Sequence, residues 1–101
     1  SIIAATNFSY PVFRSFHKID SGGIKMLFPE HYTTRSQDLP EVFHDAGQFY
    51  WSVTDAVLNN ISAFSEVSIP LTLPRHQVQD IDTVEDWQRA ELMFKAWNAM
   101  Q

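Results

Sequence analysis

Two carboxylates stand two residues apart in Gln79-Asp80-Ile81-Asp82-Thr83. In an extended segment residues i and i+2 share a face, so Asp80 and Asp82 can converge on one hard cation. Magnesium suits such a pair, because it is held by one or two carboxylates together with substrate phosphates. The same spacing allows a structural reading in which Asp82 or Thr83 caps the next helix and Asp80 ends a strand. Arg35 is the only lysine or arginine between Lys25 and Arg75. Its planar fork is shaped for a carboxylate or phosphate, and it could equally lie on the surface paired with Asp38. Gln37 and Asp38 beside it could read hydroxyl or amide groups. In His44-Asp45-Ala46-Gly47-Gln48-Phe49-Tyr50-Trp51, Tyr50 could place its hydroxyl in a pocket or serve as a half-buried strand aromatic. Gly47 allows a tight turn or the close approach of a ligand. His44 and Asp45 are neighbours with no serine or cysteine placed as their nucleophile, so a hydrolase triad has little support. His17, His31 and His76 are scattered and offer no zinc spacing.

The elements that must position these groups follow from patterning. Residues 1–8 read as a strand already in progress at its first residue, as a piece of a longer chain would begin, and it stops at the turn-prone Asn7-Phe8-Ser9-Tyr10-Pro11. Residues 13–19 are a weaker strand candidate, and Asp20-Ser21-Gly22-Gly23 is a turn that returns the chain as a hairpin strand over 24–28. Packing of this hairpin on a second subunit and its addition to its own sheet are both open. Residues 30–40 form a polar, aperiodic loop, either a binding loop or a solvated connector. Asp45-Ala46-Gly47 reads as a turn before an aromatic-rich strand at 48–53; a short helix at 54–60, capped by Thr54, and a strand at 67–73 follow. Thr83-Val84-Glu85-Asp86 fits the capping-box pattern of a final helix. Its stripe of Val84, Trp87, Ala90, Phe94 and Trp97 predicts burial against a sheet. Strands on both sides of short helices, closed by a long amphipathic helix, indicate part of a layered α/β sheet.

Composition narrows the function. A chain of 101 residues with 45% apolar and 14% aromatic content supports one core. Twelve acidic against seven basic residues give a charge of -5, which disfavours a nucleic-acid partner but leaves room for a small anion held by an arginine. There is no cysteine, which fits a reducing cytoplasm and removes any disulfide or zinc-cysteine framework. No apolar run reaches the ~20 residues of a membrane span.

Arg35-Ser36-Gln37-Asp38-Leu39-Pro40, then His44 to Trp51, then Gln79 to Thr83 with Glu85-Asp86-Trp87 and Ala90-Glu91, resemble in order and wording the second half of the acylneuraminate cytidylyltransferase family. The opening Phe8-Ser9-Tyr10-Pro11-Val12-Phe13-Arg14 is similar to its pseudaminic acid branch. The resemblance implies the C-terminal part of a three-layer α/β/α nucleotide-sugar transferase (Rossmann-like) fold with a projecting β-hairpin. Residues 1–101 would be the sugar-binding and dimerisation part of a single domain. It implies a cytoplasmic homodimer, in which an arm of each subunit helps to close the other site. The reaction implied is CMP transfer from CTP to a nonulosonic acid, pseudaminic or sialic, with release of pyrophosphate and with Mg2+ as cofactor. Carried over by motif, Asp80 and Asp82 would be the catalytic, metal-site carboxylates, Arg35 would meet the sugar carboxylate and Tyr50 would line the sugar pocket. Gln37, Asp38, His44 and Asp45 fall in matching segments on the substrate side. The family's glycine- and Lys/Arg-rich triphosphate loop has no counterpart among these residues, which contain three glycines. The residues alone are therefore expected to be inactive and their parent active. The alternative is a non-catalytic acidic-sugar-binding or dimerisation module.

Overall fold

A computed structural model describes residues 1–101. In chain order the elements are β1 (Ile2–Asn7), β2 (Phe16–Lys18), β3 (Ile24–Met26), β4 (Phe43–Trp51), α1 (Thr54–Leu58), β5 (Ile69–Thr72) and α2 (Val84–Ala99). Single 3-10 turns lie at Val12–Arg14, Pro29–His31, Ser36–Asp38 and Arg75–Gln77. The elements sort into two compact units, Ser1–Asn7 with Phe43–Gln101, and Phe8–Val42. No helix is long and apolar enough to cross a membrane.

In the first unit β1 is the central strand of the order β4-β1-β5, antiparallel to β4 and parallel to β5. A strand with neighbours on both sides and cover on both faces needs apolar residues in succession, and Ile3, Ala4, Ala5 and Thr6 are all buried. Thr6 is tolerated there because its hydroxyl donates to the Leu73 carbonyl at 2.8 Å. One face of β1 carries Ala4, which packs with Ala46 and Val78 and is flanked by Phe49 and Leu73. The other carries Ile3 and Ala5.

The β1–β4 register breaks at one point. Ile3 pairs with Tyr50, but Ala5 pairs with Asp45, so residues 46–49 bulge out opposite Ala4. Gly47 sits in this bulge at φ +68°, a left-handed conformation that glycine adopts without a Cβ penalty. The turn expected at Asp45-Ala46-Gly47 is therefore absorbed as a bulge, and the strand expected from 48 begins at Phe43.

Helix α2 has the expected capping box: the Thr83 hydroxyl accepts the Asp86 N–H at 3.1 Å, and the Asp86 carboxylate accepts the Thr83 N–H at 3.0 Å. The short helix α1 lacks the expected Thr54 cap; Val53 stands at its N-cap position and makes no side-chain cap. The expected burial of the α2 stripe is also corrected, since no residue of the helix is buried. Trp87 is 55% and Phe94 63% exposed, because the buried apolar core is confined to Ile3, Ala4 and Ala5 of β1, Ala46 of β4 and Val78. The helix instead stacks Trp97 on His76 of the 3-10 turn, with ring centroids 5.0 Å apart.

The second unit holds the β2–β3 hairpin, in register Phe16↔Met26 and Lys18↔Ile24. Its tip closes through Gly22 at φ +91°, with the Gly22 N–H donating to the Ile19 carbonyl at 2.9 Å. The strand expected over 13–19 is shortened to Phe16–Lys18, because the chain after Pro11 winds into a 3-10 turn in which the Arg14 N–H reaches the Pro11 carbonyl. Phe13 packs edge-on against Phe28, with centroids 5.1 Å apart. The mixed α/β architecture, an open sheet with flanking helices and a separate antiparallel hairpin, is that of a Rossmann-like layered fold.

Candidate functional site

Because Ile3 and Ala5 share one face of β1, their partners Tyr50 and Asp45 stand side by side on β4 although five residues apart. The Tyr50 hydroxyl donates a hydrogen bond to Asp45 Oδ2, and the Gly47 N–H donates to Oδ1 at 2.8 Å. These donors, Tyr50 first and Gly47 second, hold the Asp45 carboxyl below the usual carboxylate range. The same bond pushes the Tyr50 phenol above its ordinary value, and the nearby charges of Asp45 and Asp80 add to that shift. His44 turns its Nδ1 to the Asp45 carbonyl at 2.9 Å; since a carbonyl only accepts, Nδ1 carries the proton in this contact.

On this face a cleft of about 490 Å³ opens, walled by Ile3, Ala5, Phe43, Asp45, Phe64 and Pro70 among others. Its lining also includes His44 and Glu66. The Tyr50 ring meets Phe64 edge-on, with centroids 6.1 Å apart, which ties Tyr50 to the aromatic wall. A cleft with one apolar wall and a few fixed polar groups has the composition of a small-molecule site.

Asp80 approaches the bulge from the segment before α2. A Cβ built on Gly47 would lie 3.2 Å from Asp80 Cγ and 3.3 Å from Oδ1. The absence of a side chain at Gly47 is thus what lets the Asp80 carboxylate lie against β4. Asp82 gives its backbone N–H to Asp86 Oδ2 at 2.9 Å, and this bond is the first cause holding the Asp86 carboxyl below its ordinary range. The capping is therefore done by Thr83 and Asp86, which leaves the Asp80 and Asp82 carboxylates without a protein donor. No third His, Cys, Asp or Glu joins them in a cluster. Carboxylate oxygens are the donor type that a hard cation takes together with water and phosphate.

In the Phe8–Val42 unit Arg35 Nε lies 3.1 Å from Asp38 Oδ2, with both side chains mostly exposed. This is the surface pairing that the sequence left open, and an exposed pair of this kind is held weakly. Gln37 lies in the same 3-10 turn, Ser36–Asp38. Two contributors were not singled out from sequence. Arg14 donates to Ser36 Oγ at 3.2 Å and to the Thr34 carbonyl, so it clamps the loop on both sides of Arg35. Phe64 supports Tyr50 from a segment with no recognisable motif.

No family model matches the chain. It is 39% identical over 94 residues, 93% of its length, to pseudaminic acid cytidylyltransferases of two Campylobacter jejuni strains, serotypes O:2 and O:23/36. The chain belongs to the same family as these cytidylyltransferases. The matched stretch is about 40% of the length of these relatives. A bifunctional Helicobacter pylori protein, named pseudaminic acid cytidylyltransferase and UDP-2,4-diacetamido-2,4,6-trideoxy-beta-L-altropyranose hydrolase, is 39% identical over 80 residues, 79% of this chain and 15% of its own length.

Proposed function

We propose that this chain is the acidic-sugar and metal-binding part of a nucleotidyltransferase that joins CTP to a nonulosonic acid, pseudaminic acid first, giving the CMP-sugar and pyrophosphate. The observation that carries the reading is the 39% identity running through 93% of the chain, across every segment that holds a candidate residue. In this reading the cleft beside Tyr50 receives the sugar, and Phe64 and Phe43 supply the apolar wall against its ring and acyl groups. By the motif that carries it, Arg35 is the group for the sugar carboxylate, and its fork is held only by the exposed pair with Asp38. Gln37, Asp38 and His44 contribute polar contacts.

Asp80 and Asp82 would hold Mg2+, which when bound would supply electrostatic stabilisation of the charge developing on the phosphate oxygens. The close approach of Asp80 to Gly47 supports this reading, in which the metal side of the site would adjoin β4. Holding the acidic sugar in one orientation lowers the entropic part of the barrier. The remaining length of the relatives is where CTP recognition would lie, and the 101 residues alone would not turn over. The enzyme works as a homodimer, with the exposed apolar side chains of the hairpin, Phe16 and Ile24, at the contact between copies.

The test is pyrophosphate release from CTP by the parent polypeptide with pseudaminic acid and magnesium. Asp80→Asn and Asp82→Asn should each abolish turnover while sugar binding persists. Sugar binding that is indifferent to CTP and magnesium, without turnover in the wild type, would instead identify a non-catalytic module.

A further inference from the structure

The resemblance places Asp45 on the substrate side, yet both of its carboxylate oxygens already serve the protein. Oδ1 accepts from the Gly47 N–H inside the bulge, and Oδ2 accepts from the Tyr50 hydroxyl. The register fixes this geometry: with residues 46–49 looped out, Asp45 and Tyr50 become next neighbours on one face of β4. Tyrosine has a single hydroxyl proton, and here it is spent on Asp45. What the Tyr50 oxygen can still offer a ligand is a lone pair.

We infer that Asp45 is a positioning residue and not a ligand of the sugar: it takes the Tyr50 hydroxyl proton, so that Tyr50 presents an acceptor and selects an O–H or N–H donor of the acidic sugar. This rests on the reading of the cleft as the sugar site. A sugar carboxylate at Tyr50 would face a lone pair backed by the Asp45 charge, so the carboxylate must be read elsewhere. The bulge is the device that builds the selection. A regular β4 would place Phe49 opposite Ala4 and continue the pairing without bringing Asp45 beside Tyr50.

The experiment uses the parent polypeptide, with pseudaminic acid and its carboxyl methyl ester as probes, and with Asp45→Asn, Asp45→Ala, Tyr50→Phe and the double variant Asp45→Ala/Tyr50→Phe. The 13Cζ resonance of Tyr50 follows the hydrogen bond that its hydroxyl makes. It should move to the value of a solvated tyrosine in Asp45→Ala and stay near the wild type in Asp45→Asn, whose amide oxygen still accepts. Loss of one such hydrogen bond should weaken pseudaminic acid binding about five-fold in Tyr50→Phe and in Asp45→Ala. The double variant should be no weaker than Tyr50→Phe alone. The preference for acid over ester should be the same in Tyr50→Phe as in the wild type.

A Tyr50 resonance unmoved by Asp45→Ala overturns the positioning role even where sugar binds. Additive losses in the double variant make Asp45 a direct ligand, and collapse of the acid-over-ester preference in Tyr50→Phe shows that Tyr50 reads the carboxylate; either result overturns the inference. Absence of sugar binding by the wild type overturns the reading of the cleft, and the selection falls with it.

Discussion

Replacing Gly47 by alanine perturbs the site through two separable effects. The φ of +68° costs an L-residue about 1–2 kcal/mol, because its Cβ crowds the following carbonyl. The new Cβ would also lie 3.2 Å from Asp80 Cγ, a distance that the neighbour must relieve. Asp80 is the end of a flexible side chain, so it turns away while the backbone stays, at about 0.5–1.5 kcal/mol for an off-rotamer torsion. The sum, about 1.5–3.5 kcal/mol, lowers the urea midpoint by roughly 1–2 M at a slope of about 1.5 kcal/mol/M. Gly47→Asn separates the two effects. Asparagine tolerates the left-handed region better, so part of the stability returns, but its Cβ still displaces Asp80. In an Asp80→Ala background the carboxylate is gone, and Gly47→Ala should cost only the backbone part. Urea unfolding of the four variants, with magnesium affinity measured alongside, is the assay. An unchanged midpoint for Gly47→Ala, or an equal cost in both backgrounds, would refute the claim that Gly47 makes room for Asp80.

Further outcomes follow from the same geometry. Thr83→Ala removes the hydroxyl half of the α2 capping box and should cost about 1 kcal/mol in unfolding free energy. Thr6→Val keeps the shape but leaves the part-buried Leu73 carbonyl without its side-chain donor, and the lost hydrogen bond should cost about 1 kcal/mol by denaturant titration. Asp45 and Asp86 both have lowered carboxyl pKa values in the folded chain, so they bind fewer protons than the unfolded chain does at the same pH. Their contribution is present above the unfolded carboxylate pKa of about 4 and is lost as pH falls through the folded values. Urea midpoints should therefore drop on acidification below about pH 4, and less steeply in Asp86→Asn.

The elements bounded by strong local chemistry were legible in the sequence. The β1 run, the glycine tip of the hairpin and the Thr83–Asp86 box each settle their own conformation within a few residues. Asp45-Ala46-Gly47 was not legible as a bulge, because a turn and a bulge both use a left-handed glycine and only pairing with β1 decides between them. The pairing of Tyr50 with Asp45 was hidden for the same reason, since five residues along a regular strand would put the two on opposite faces. The α2 stripe was legible as amphipathic, but periodicity reports an apolar face without saying what covers it. Arg35 and Asp38 were flagged as partners by proximity, whereas the clamp from Arg14 depends on how the Phe8–Val42 unit folds back.

The most direct measurement of the central claim is detection of the product itself. The parent polypeptide would be incubated with CTP, pseudaminic acid and magnesium, and followed by 31P NMR. A phosphodiester resonance of a CMP-sugar, formed with one pyrophosphate per CTP consumed and lost in Asp80→Asn, is the expected result. Intact CTP alongside bound sugar in the wild type would contradict it.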